Sequence, residues 1–258
     1  MNVQQIYDLI DEIAPFSTQM DFDNAGLLVG DPQQKVTHAL LALDCTPAVL
    51  AEAEELGAQL IITHHPIIWN PMKQVTADSL VYQAIRRGIS ILCAHTNLDV
   101  SPVGVNEYLA RVLGLENIEP LEILSTDEES VYAMGRVGEL PHPFSSQQLA
   151  QRVSDLLDCH GLRYTGEAEE ITRVAVTGGS GGSMVSKALE AGAQALITGD
   201  VKHDVFLSAA QAGLTLIDAG HFETETVVLP PLCELLQKQA PTVSFTTARS
   251  NTAPVKTV

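Results

Sequence analysis

Three short stretches carry residues able to hold and use metal ions: His64-His65 followed by Pro66, His95-Thr-Asn-Leu-Asp99, and His221-Phe-Glu-Thr-Glu225. The second and third each set an imidazole four positions ahead of a carboxylate, and all three follow a short apolar run of the kind that forms a buried strand. Imidazole and carboxylate together suit zinc, iron, manganese or nickel. Brought face to face, such strand ends build a dinuclear centre. Adjacent residues on an extended segment point in opposite directions, so His64 and His65 meet at one ion only if the chain turns there. Otherwise each serves a different ion, which a pair of ions about 3.5–4 Å apart accommodates. Asp99 is a ligand candidate on the loop leaving its strand, and His95 either ligates as well or orients Asp99 or a bound water. His221 and Glu225, spaced i and i+4, share a helical face if a helix begins near His221; Glu225 is then the bridging candidate and Glu223 turns to solvent.

Other residues carry weaker signals. Asp200 and Asp218 each follow an apolar run, where an isolated Asp commonly caps a helix or closes a turn, and His203 is a further pocket candidate. Gly178-Gly179-Ser180-Gly181-Gly182 joins a strand to a helix and could turn backbone N–H groups toward a phosphate, although it fits neither the P-loop nor the dinucleotide-binding glycine pattern. The same run fits the bare G-x-S-x-G spacing at Ser180, and no cysteine has a nucleophile's context; the three histidine and carboxylate stretches favour metal-assisted chemistry.

The elements that must position these groups read as alternating helix and strand. Asn2 and Gln5 form a capping box for a helix that presents Val3, Ile6, Leu9, Ile10 and Ile13 on one face and stops at Pro15. A strand at 39–43, a helix from Pro47 capped by Gly57, a strand at 60–63, a helix at about 78–87 ended by Gly88, and a strand at 89–94 follow. The second half repeats this grammar: residues 55–63 align without a gap on 190–198, and 88–94 match 213–219 in pattern. Between them lie a strand near 131–137, a helix near 146–157, and strands near 162–165 and 174–177. The expected fold class is α/β, with two related α/β domains at 1–125 and 126–258, some C-terminal segments packing back on the first, and a dinuclear metal site between them. The polar tail after Ala248 is expected to be poorly ordered.

Composition narrows the partners. Against 32 Asp and Glu there are 14 Lys and Arg, a formal charge of −18 that disfavours direct binding to nucleic acid or anionic membranes. The four cysteines are widely spaced, as reduced thiols of a cytoplasmic protein are. The N-terminus lacks the features of a signal peptide, and no apolar run approaches the ~20 residues of a membrane span.

Taken together, Asp23-Asn24-Ala25-Gly26-Leu27-Leu28-Val29-Gly30, Ile61-Ile62-Thr63-His64-His65-Pro66, His95-Thr96-Asn97-Leu98-Asp99 and Asp218-Ala219-Gly220-His221-Phe222-Glu223-Thr224-Glu225 resemble the Nif-three-like family, whose members are often labelled GTP cyclohydrolase I type 2 homologues. The resemblance spans most of the chain and implies a short member, with no extra domain between the halves. It further implies two divalent metal ions per subunit, held by His64, His65, Asp99, His221 and Glu225, and a ring-shaped homohexamer with the centres facing an internal cavity. The implied activity is a metal-dependent hydrolase acting on a nucleotide or related small molecule; the alternative is a non-catalytic metal-binding ring serving as metal carrier or assembly platform. Phe22 stands where an aromatic Trp is common, and Glu223 occupies a usually small position.

Overall fold

The computed structural model describes residues 1–159 and 161–256. The chain divides into two compact units, one of residues 1–98 with 229–252, the other of residues 99–228 together with the residues from Ala253 on. Helix α1 (Val3–Ile13) begins with the capping box read from the sequence: Gln5 N donates to the Asn2 side chain and Asn2 N donates to the Gln5 side chain. It buries Val3, Ile6, Ile10 and Ile13. Strand β1 (Gly26–Val29) was not expected, because the turn residues at 21–26 mask so short an apolar run. Strand β2 (His38–Ala42), helix α2 (Pro47–Glu55), strand β3 (Leu60–Thr63), helix α3 (Leu80–Arg87) and strand β4 (Ser90–Cys93) lie within two residues of their expected bounds. A single turn of helix, α4 (Thr96–Val100), follows.

The second unit contains α5 (Val105–Val112), β5 (Glu116–Thr126), β6 (Val131–Phe144), α6 (Ser146–Leu157), β7 (Arg163–Thr165), β8 (Ile171–Val176), α7 (Val185–Glu190), β9 (Ala195–Thr198), α8 (His203–Gln211), β10 (Thr215–Asp218) and α9 (His221–Glu225). The chain then returns to the first unit with α10 (Leu229–Gln239) and β11 (Ser244–Thr247). The first sheet runs β1-β4-β3-β2-β11, parallel except where β1 meets β4. The second runs β5-β6-β8-β9-β10-β7, parallel across β8-β9-β10 and antiparallel elsewhere. The expected division at 125/126 falls inside the second unit, since β5 pairs with β6 there.

Each unit has its own core. In the first, Leu40, Ala42, Ile61 and Ile91 of the sheet pack with Val49, Leu50 and Ala53 of α2 and Ala84 of α3. Removing such a side chain, as in Ile61→Ala, costs about 2–5 kcal/mol. In the second, Val174, Val176 and Ile197 meet Leu109, Leu149 and Val153 in one cluster, while Ala175, Leu196 and Leu216 meet Ala188 and Ala209 in another. The tail is tied down further than expected: Arg249 N and Ser250 N donate to the Glu52 carboxylate, and Leu43 N donates to Asn251 Oδ1. Among the described residues no helix is long and apolar enough to cross a membrane.

Both sheets contain the same hydrogen-bonding device. Gln59 Oε1 accepts from Thr37 N, Thr37 Oγ1 and His38 N at 2.8, 3.1 and 3.1 Å. Gln194 Oε1 accepts from Thr172 N, Thr172 Oγ1 and Arg173 N at 2.8, 3.1 and 3.1 Å. Before each Gln, a turn closes through Ala58 N to Ala53 O and Ala193 N to Ala188 O. Gly57 and Gly192 make that turn at φ +64° and +71°, where a residue with a Cβ pays about 1–2 kcal/mol. The alignment of 55–63 on 190–198 therefore extends to individual atoms.

Candidate functional site

The first unit gathers three imidazoles where β3 and β4 end. Parallel strands present ligand-binding groups at such ends, because the sheet holds the backbone while the following loop is free to vary. His64 and His65 follow β3, and His95 lies two residues beyond β4. Their candidate ligand atoms all lie within 4.8 Å of one another. The backbone fixes the turn: His64 N donates to Ala42 O and His65 N to Leu43 O, which carries both rings to one side. Ring centroids lie 5.0 Å apart for His64 and His65, 5.1 Å for His64 and His95, and 5.6 Å for His65 and His95.

Each ring is held through Nδ1. His64 Nδ1 donates to Ala94 O at 2.9 Å, His65 Nδ1 to Asp44 Oδ1 at 3.0 Å, and His95 Nδ1 to Asp23 Oδ1 at 2.8 Å. A carbonyl or carboxylate oxygen has no proton to give, so Nδ1 carries the hydrogen and Nε2 of the neutral ring bears the lone pair that a cation needs. Asp23 also accepts from Thr96 N and Oγ1 and from Asn24 N. Burial by itself would raise its pKa, but the hydrogen bonds from His95 and Thr96 outweigh it and hold the carboxyl well below the usual range.

The second unit gathers Asp99, His221 and Glu225. Helix α9 begins at His221, so His221 and Glu225 share a face, with Nε2 and Oε2 3.1 Å apart. The donor atoms of Asp99 and Glu225 lie within 4.8 Å of each other. His221 is again held through Nδ1, here by Asp200 at 2.8 Å. Asn106 links this set internally: its Nδ2 donates to Asp99 O at 2.9 Å, and its Oδ1 accepts from Gly178 N at 2.9 Å.

The glycine-rich loop serves Glu225. Gly178 N, Gly179 N and Gly181 N donate to Asn106 Oδ1, Thr224 Oγ1 and Thr198 Oγ1, so these N–H groups are committed within the unit and do not form the phosphate cradle considered from sequence. A Cβ on Gly179 would stand 2.1 Å from Glu225 Oε1. Only glycine at this φ of +61° lets the buried carboxylate pass so close.

The remaining candidates fall elsewhere. Asp218 pairs with Arg163 and accepts from Val201 N and Gly220 N, closing a turn. His203 is exposed at the start of α8. Glu223, expected in solvent, is half-buried and folds back beside Gly220, where a Cβ would stand 2.1 Å from its Oε2. Burial pushes the Cys45 and Cys159 thiols up to about 12, each helped by neighbouring carboxylates, and burial also raises Cys233. Raised in this way, these three thiols carry little thiolate.

The mirrored His-x-x-x-carboxylate stretches are not equivalent positions. Ala94 N donates to Thr63 O at 2.9 Å and Ala219 N to Thr198 O at 2.8 Å, which fixes the correspondence of the two halves. In that register His221 matches Thr96, and α9 matches α4; His95 matches Gly220. The resemblance between the stretches is offset by one residue.

The sequence and the fold also match known proteins. The family model described as DUF34/NIF3 (NGG1p interacting factor 3) matches residues 1–254. A GTP cyclohydrolase 1 type 2 homolog from Clostridium perfringens is 34% identical over 244 residues, covering 93% of this chain and 92% of that protein. One from Streptomyces coelicolor is 35% identical, covering 94% and 86%. Among solved structures, a Staphylococcus aureus hypothetical protein superposes with a TM-score of 0.93 at 30% identity, covering 100% of this chain and 99% of that one. Reduced HcgD from Methanocaldococcus jannaschii superposes with a TM-score of 0.78 at 26% identity, covering 96% and 98%. With the family model spanning nearly the whole chain and relatives above 30% identity along most of it, the chain belongs to the DUF34/NIF3 family.

Proposed function

We propose that the chain is a dinuclear metal-dependent hydrolase acting on a nucleotide or related small molecule, with His64, His65, Asp99, His221 and Glu225 holding two divalent cations. The observation that carries this reading is the common anchoring of four imidazoles, His64, His65, His95 and His221, each through Nδ1 to a carbonyl or carboxylate. Metal-ligating histidines have this arrangement, because the partner fixes both ring orientation and tautomer. Divalent cations held by these groups would polarise a substrate oxygen and acidify a water. In this reading Asp44 and Asp200 hold His65 and His221 on target, and Glu225, seated against Gly179, would supply a carboxylate to the cations. His95, oriented by Asp23 and with its candidate ligand atom within 4.8 Å of those of His64 and His65, would add a further nitrogen donor to the set.

Replacing Glu225 with Ala tests the proposal. Metal content by elemental analysis and hydrolysis of a nucleotide panel both fall; unchanged hydrolysis in the variant removes the centre from the mechanism. A metal-loaded wild-type protein with no turnover but reversible metal exchange would instead make it a metal carrier or assembly platform. The proposal includes a cytoplasmic homohexameric ring, as the family resemblance implies, and sedimentation showing a monomer would remove that part.

A further inference from the structure

The loop that follows His64-His65-Pro66 carries Trp69, the one tryptophan of the chain. The start of the loop is anchored: Asn24 Nδ2 donates to Ile68 O at 2.7 Å, and Ile67 and Ile68 pack against the first unit's core. From Trp69 onward, residues 69–78 are all exposed. The Trp69 ring meets His95 edge-on, with centroids 5.1 Å apart and planes at 87°, while 51% of the residue stays accessible. A large aromatic residue bears this exposure at a cost, since moving so large an apolar ring out of water is favourable. Met72 and Val75, farther along the same loop, are exposed as well.

Trp69 is therefore a ring one residue beyond an anchored backbone, with an edge against His95, one of the three imidazoles gathered in its own unit. Such a ring offers a flat apolar surface to a ligand at little conformational cost. A cation would be drawn to that face too. The donor atoms beneath it, however, call for a ligand whose other end engages metal.

We propose that Trp69 is a substrate-recognition residue, stacking on the planar heteroaromatic ring of the ligand while the imidazole cluster faces its reacting part. This rests on the hydrolase reading given above and narrows its substrates to molecules with a heterocyclic base. Stacking is tolerant of which base is present, because every base has a π-face. Trp69 thus selects for a ring and leaves its identity to other contacts.

A lone tryptophan is its own reporter. Guanosine and uridine added to the metal-loaded protein quench its tryptophan emission, and ribose 5-phosphate, which lacks a ring to stack, does not. Equilibrium dialysis of guanosine against Trp69→Ala shows at least about fivefold weaker binding, and Trp69→Phe recovers most of the loss. Metal content of both variants equals that of the wild type. Equal guanosine affinity in wild type and Trp69→Ala overturns the assignment and leaves the hydrolase reading standing, as does quenching by ribose 5-phosphate equal to that by guanosine. Absence of guanosine and uridine binding to the metal-loaded wild type also overturns it, and the Glu225→Ala measurements then judge the hydrolase reading separately.

Discussion

Asp23→Asn is the sharpest test of how the imidazoles are held. The Asp23 side chain has no accessible surface, and four hydrogen bonds converge on it: His95 Nδ1 and Asn24 N on Oδ1, Thr96 N and Oγ1 on Oδ2. Asparagine keeps the shape but offers a single acceptor oxygen, so its NH2 must face one pair of these donors. Backbone N–H groups cannot change role, whereas His95 can shift its proton from Nδ1 to Nε2. The rearrangement that spares Thr96 therefore puts a hydrogen on His95 Nε2, where a lone pair was. Losing charge-assisted hydrogen bonds of about 1.5–3 kcal/mol each, with part regained through the tautomer, gives a net loss of about 2–3 kcal/mol. For a chain of this size that lowers Tm by about 4–12 °C. Metal affinity falls about tenfold to a hundredfold, the loss typical when an outer residue orienting a metal-site histidine is removed. Calorimetric metal titration and a thermal melt of the metal-free protein read the two effects separately. A variant with wild-type Tm and wild-type metal affinity refutes the view that Asp23 sets the state of His95.

Gly179→Ala places a Cβ against Glu225 Oε1 at a positive φ, and is expected to cost about 1–3 kcal/mol in a denaturant titration and to weaken metal binding at least tenfold. Burial of Glu52 would raise its pKa, but hydrogen bonds from Ser250 and Arg249 bring it down from 4.5 to about 2. A depressed carboxyl stabilises the fold above its unfolded value and loses that contribution as pH falls through the folded one. The stability gap between wild type and Glu52→Gln is therefore largest above pH 4.5 and closes toward pH 2, which urea melts across that range measure. Cys45, buried and pushed up to about 12, resists iodoacetamide at about pH 8 in the folded protein and reacts on unfolding, as mass spectrometry will show.

What could be read from the chain depended on how local the signal was. His64-His65-Pro66 announces itself, since two imidazoles at a strand end followed by a residue that stops the strand have few structural uses. The aspartates that orient the rings do not. Asp44, Asp23 and Asp200 reach their histidines across 21, 72 and 21 positions, and each looks locally like a turn residue. The repeat at Gln59 and Gln194 was visible because it preserves residue types, while the one-residue offset between His95 and His221 emerged only from the strand-end hydrogen bonds. Among the missed elements, β1 lies behind a run of turn residues, β5 has Pro120 in its middle and mostly exposed side chains, and the first turn of α10 holds Pro230 and Pro231.

The return of β11 to the edge of β2 imposes an order of events during synthesis. Strand β2 is paired on its outer side by residues 244–247, which leave the ribosome long after β2 itself is made. Until then, the backbone beside Ala39, Leu40 and Leu41 presents open donors and acceptors to any passing strand. Residues 99–228 are complete before that edge is closed. A nascent chain stalled or cut ahead of residue 244 therefore carries both sheets' other strands and an open β2 edge prone to pairing with the wrong molecule, which makes residues 244–247 a folding requirement of the first unit.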